Sequence, residues 1–111
     1  MSKLDDLMQK YTADLEKIGD KVNADTLRGV AKSLGPSIYR KDASLVATSD
    51  PKEMDRVKQN FLIKKLGLKD TPKLDEGITE VKKAYLKRAK YRVVFYYLLT
   101  KHFRKSKLFT S

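Results

Sequence analysis

The chain has 111 residues, no cysteine and a formal net charge of +11, with 41% hydrophobic and 35% charged side chains. Those figures fit one helical globular domain with a single core, and they exclude a disulfide framework, a thiolate metal site and a disordered polyelectrolyte. The longest uncharged run is far below the roughly 20 residues a membrane-spanning helix needs, and the N-terminus sets two acids beside its leucines where a secretory signal wants a basic start, so a cytoplasmic protein is expected.

In chain order, Ser2 is placed to cap a first helix with Asp5 in its first turn, and Leu4, Leu7, Met8, Tyr11, Leu15 and Ile18 recur at helical spacing. Gly19 is a ready left-handed terminator. Asn23 or Asp25 opens a second helix with inner face Leu27, Val30, Ala31 and Leu34, stopped by Gly35-Pro36. Residues 36–49 lack periodicity and read as a long packed loop, with room for a helical turn at Ala43 to Ala47. The simplest role of GPSIY is to end the second helix and drop Ile38 and Tyr39 into the core.

Asp50, Pro51 and Glu53 form the sharpest helix start, a cap, a first-turn proline and an approximate capping box. The inner face of this third helix runs Met54, Val57, Phe61 and Leu62, widened by Ile63 and Leu66, and Gly67-Leu68 fits a Schellman ending. Asp70 or Thr71, then Pro72, opens a fourth helix through Leu74, Ile78, Val81 and Tyr85, with Gly77 weakening it by roughly 1 kcal/mol relative to alanine. A second apolar face, Tyr91, Val94, Phe95, Leu98, Leu99 and His102, is out of register with the first by about 100° at 3.6 residues per turn. A break near Arg88 to Lys90 and a fifth helix over about 91–103 follow, with one bent helix over 72–103 as the alternative. The fifth helix is apolar nearly all round, as a helix buried on several sides is. The fold expected is all-α, a single-domain bundle of about five helices around this C-terminal one.

No catalytic, cofactor-binding or metal-binding set emerges, and an enzyme is not expected. His102 is the only histidine, on an apolar face and with no acid within twenty residues, so a packed, locally bonded imidazole is the plain reading. Asp5, Asp6, Asp14, Glu16 and Asp20 alternate with lysines and read as a solvated helix surface. Leu27 to Tyr39 begins like a helix-turn-helix but fails in its second half, where Pro36, Lys41 and Ser44 occupy positions that should be apolar. GPSIY has neither the glycines nor the lysine of a phosphate-binding loop.

Charge is the informative feature. Residues 1–35 hold six bases and six acids, whereas 71–111 hold eleven bases and three acids, and no acid follows Glu80. A field of that strength concentrates anionic partners without naming one. The expected polyanion-binding set is Lys82, Lys83, Lys87, Arg88, Lys90, Lys101, Arg104, Lys105 and Lys107, with residues 104–111 as a basic tail. The partners this suggests are nucleic acid, bound without sequence preference, or an acidic protein. The alternative is a protein–protein module or homo-oligomer joined through apolar surface such as Val93, Tyr97 or Phe109.

Three stretches, GPSIYRKDASLV at 35–46, NFLIKKLGL at 60–68 and YRVVFYYLLTKHF at 91–103, together resemble a family of short bacterial proteins classed as a domain of unknown function. The resemblance spans nearly the whole chain and implies a free-standing, cytoplasmic bacterial protein. It brings no activity, cofactor or site with it.

Overall fold

The computed structural model describes residues 3–40 and 43–109, and within them the order is five α-helices with one two-stranded ribbon. Helix α1, Lys3–Lys17, turns Met8, Tyr11 and Leu15 inward and ends at Gly19, whose φ of +81° suits glycine. The Ser2 cap lies outside the described residues. Helix α2, Ala24–Leu34, is capped by Asn23, whose side-chain oxygen accepts the Thr26 N–H at 3.1 Å, and buries Leu27, Val30 and Ala31.

The long loop differs from expectation. Gly35–Tyr39 is a 3₁₀ turn that buries Ile38 but leaves Tyr39 49% exposed. The residues read as a helical turn, 43–47, instead contain strand β1, Leu45–Val46, antiparallel to β2, Lys90–Tyr91, with Leu45 opposite Tyr91 and Val46 opposite Lys90. The pairing partners lie 44 and 46 positions away, beyond the reach of local periodicity.

Helix α3, Pro51–Arg56, starts as its sequence requires, with the Asp50 carboxylate accepting the Lys52 N–H at 3.0 Å. It continues as a π-helix over Val57–Lys65. Apolar residues explain the wider winding. Val57, Phe61, Leu62 and Leu66 spread over half an α-helical circumference, whereas i→i+5 bonding stacks residues four and five apart on one face, and all four are buried. The Schellman ending holds, with the Leu68 N–H donating to the Leu62 carbonyl at 3.0 Å across Gly67 at φ +73°.

Helix α4, Pro72–Ala84, buries Leu74, Ile78 and Val81. Gly77 is required by packing, because a Cβ there would collide with the Phe103 ring. Residues 72–103 form two helices, and α4 ends at Ala84, a few residues before the expected break. Helix α5, Arg92–His102, is central and packs on α1, α2 and α4. Val93, Val94, Phe95, Tyr96, Tyr97, Leu99 and Thr100 are all buried, so Val93 and Tyr97 belong to the core and offer no surface to a partner. Arg104, at φ +58°, turns the chain back, and a short 3₁₀ turn, Ser106–Leu108, brings Phe109 over Gly29 and parallel to the Phe61 ring. Phe109 thus lies against α2 and the π-helix. The radius of gyration, 13.0 Å, is that of one folded unit of this length.

Candidate functional site

The structure sorts the basic C-terminal third into cations held by a carboxylate and cations without one among the described residues. Three are held, each by a carboxylate from an earlier element and a tyrosine. Lys87 Nζ donates to Asp14 Oδ1 at 3.0 Å, Asp14 also accepts from the Tyr85 hydroxyl at 2.5 Å, and Tyr85 Oη accepts the Tyr91 N–H at 3.1 Å. The Tyr91 ring lies under Lys87 and edge-on to Tyr11. Burial, then the bond to Asp14, pushes the Tyr85 hydroxyl above its ordinary range, and burial pushes Tyr11 up to about 12.

Arg92 makes the second clamp. Its guanidinium donates to the Ala43 and Leu45 carbonyls, the Tyr96 hydroxyl and the Glu53 carboxylate, tying the ribbon to α3 and α5. Burial depresses the Arg92 pKa, but Tyr96 and Glu53 outweigh it and the net shift is upward. Glu53, expected to serve a capping box, is instead the buried partner of Arg92 and also accepts from Arg56 at 3.4 Å. In the third clamp Lys101 donates to Asp20 at 2.8 Å and to the Lys21 carbonyl, while Tyr97 donates to Asp20 and accepts the Asn23 N–H. Burial opposes the Lys101 charge, but Asp20 and Tyr97 together outweigh it, and its pKa rises.

These clamps correct the reading of α1. Asp14 is 5% exposed and the Asp20 side chain 14%, so neither sits on a solvated stripe. Their roles depend on side chains more than 70 positions away, which no charge pattern within α1 reveals. His102 is also displaced from its expected place. It is exposed, edge-on to Phe103.

Of the nine residues in the expected polyanion set, Lys87 and Lys101 are therefore clamped. Lys83 sits 3.8 Å from Glu80, an exposed pair of the kind worth little. Lys82, Arg88, Lys90, Arg104, Lys105 and Lys107 have no carboxylate within 4.0 Å among the described residues. Lys82 nonetheless lines a cleft of about 380 Å³ with Asp55, Asp75 and Lys58, which mixes the local charge. Lys82, Arg88 and Lys90 precede α5 in the chain, and Arg104, Lys105 and Lys107 follow it.

Lys87, Arg92 and Lys101 are thus committed to packing, whereas six other cations of this stretch have no carboxylate partner among the described residues. The chain belongs to the DUF2853 family, a family of proteins of unknown function, whose model matches residues 10–107. No curated protein matches the sequence. No helix among the described residues is long and apolar enough to cross a membrane.

Proposed function

We propose that this is a non-enzymatic, cytoplasmic binding protein whose unpaired cations contact the phosphate backbone of nucleic acid without sequence preference. The carrying observation is the division just described. Six cations in a stretch without acids have no ion-pair partner among the described residues, while Lys87, Arg92 and Lys101 have one each. Phosphate contacts need only positive charge and reach, and binding of that kind carries no base information.

Fluorescence anisotropy with a random-sequence 20-base-pair duplex tests the proposal. With about six phosphates neutralised, log affinity falls with log salt at a slope near −5, and scrambled sequences bind alike. Absence of binding at 50 mM salt, or binding indifferent to salt, overturns it.

A further inference from the structure

Two adjoining cavities, of about 430 and 180 Å³, share Ser33 of α2 and Lys65 of the π-helix as walls. Gly29, Leu108 and Phe109 also line the larger, and Asn60, Phe61 and Tyr96 the smaller. Gly29 is what lets the C-terminal segment close the larger one, because a Cβ there would meet the Phe109 carbonyl oxygen at 2.6 Å. The Tyr96 and Phe61 rings stack with centroids 4.2 Å apart, and Phe109 lies near-parallel to Phe61 at 6.4 Å, so both cavities have aromatic walls. The π-winding also serves this place. Asn60 and Lys65 stand five apart in the chain, which would set them about 140° from one another on an α-helix, whereas i→i+5 bonding brings them to one side. Both line the smaller cavity.

Charge decides what such a place accepts. Among the described residues no acid lines either cavity, and Lys65 has no carboxylate within 4.0 Å. The cleft beside Lys82 differs, since Asp55 and Asp75 line it, and so does a cavity of about 440 Å³ beside Leu86, where Asp14 lies with Lys17 and Lys87. Aromatic walls with one unopposed cation suit an anion that carries a flat ring.

We propose that the paired cavities bind a small planar aromatic acid, its ring against Phe61 and Phe109 and its carboxylate on Lys65. Ring contacts in offset or edge-on geometry add to what apolar burial alone supplies. The larger cavity by itself falls within the roughly 300–1,000 Å³ of small-molecule sites. Ser33 Oγ donates its proton to the Val30 carbonyl at 2.7 Å and is left as an acceptor, so Asn60, with an amide donor, is the second group for the carboxylate. The site uses none of the six cations of the nucleic-acid reading and stands apart from it.

The test titrates 2-naphthoate into the full, isotope-labelled chain and follows backbone amide shifts by NMR. At the efficiency of ordinary small ligands, its roughly 13 non-hydrogen atoms give a Kd on the order of 1 mM or tighter. Saturable shifts are expected at Gly29, Ser33, Asn60 and Lys65. The neutral 2-naphthalenemethanol should bind about tenfold more weakly, because it forgoes the charge-assisted contact, and octanoate, charged but without a ring, should also bind more weakly. Lys65→Gln should lower naphthoate to the affinity of the alcohol while leaving the alcohol unchanged, a split that a merely structural lysine would not produce. Ser33→Trp, which fills the shared wall, should abolish both in a chain shown to be folded by circular dichroism. Shifts that fail to saturate by about 10 mM, or that centre on Asp14 and Leu86, overturn the proposal. Naphthoate affinity unchanged by Lys65→Gln, or matched by octanoate, overturns it as well.

Discussion

Replacing Asp14 by alanine tests the structural half of this account. The carboxylate is 5% exposed and takes bonds from Lys87 at 3.0 Å and the Tyr85 hydroxyl at 2.5 Å. Truncation leaves the buried Tyr85 hydroxyl without its acceptor, a cost of about 1–3 kcal/mol. Removing one partner of a buried ion pair costs about 3–5 kcal/mol, but the Lys87 side chain is 43% exposed and can turn to water, so the lower end applies. The two costs overlap, and a total of about 3 kcal/mol is expected, a large share of a typical 5–15 kcal/mol stability. At about 4 °C per kcal/mol for a chain near this length, the melting temperature should drop by about 12 °C. Urea denaturation followed by circular dichroism measures the loss directly. Tyr85→Phe, which leaves the Lys87 pair intact, should cost about 1 kcal/mol, and the double variant should lose less than the sum of the single ones. An Asp14→Ala loss below 1 kcal/mol, or strict additivity with Tyr85→Phe, refutes the clamp.

Two further outcomes follow from the packing. Tyr11 is pushed up to about 12 by burial and Tyr85 is raised by burial and Asp14, so the folded chain holds these protons more tightly than the unfolded one, where tyrosine titrates near 10. Stability is therefore full below about pH 10 and falls as pH rises toward 12, and absorbance at 295 nm should show part of the tyrosine signal appearing only with unfolding; simultaneous ionisation of all six tyrosines near pH 10 in a folded chain contradicts this. Gly77→Ala should destabilise by about 1–2 kcal/mol, because overpacking against Phe103 outweighs the helix-propensity gain of about 1 kcal/mol. In a Phe103→Leu background the same change should become neutral or stabilising, and persistence of the loss there would show that Phe103 is not the obstacle.

Local signals in the sequence carried the helices well. Asn23, Asp50-Pro51 and Gly67-Leu68 announce boundaries through chemistry within a few residues, and the structure places caps and ends there. The apolar circumference of 91–103 likewise marked the central helix. What stayed hidden depends on partners distant in sequence. The β1–β2 ribbon, the burial of Asp14 and Asp20 and the engagement of Glu53 with Arg92 all join residues 39 or more positions apart. The π-winding of 57–65 was half visible in the four- and five-residue spacings of its apolar side chains. For the basic third, composition revealed the excess charge, but only the fold separates Lys87, Arg92 and Lys101, which hold it together, from the six cations without an ion-pair partner among the described residues.

That separation is tested most directly by salt slopes on a random duplex for two charge-removing variants, each shown to be folded. Arg88→Gln with Lys90→Gln should flatten a slope near −5 to near −3, since each phosphate no longer neutralised removes about one unit. Lys87→Gln with Lys101→Gln removes the same charge from clamped positions and should leave the slope unchanged. Equal flattening in both variants, or no duplex binding by the unmodified chain at 50 mM salt, contradicts the account.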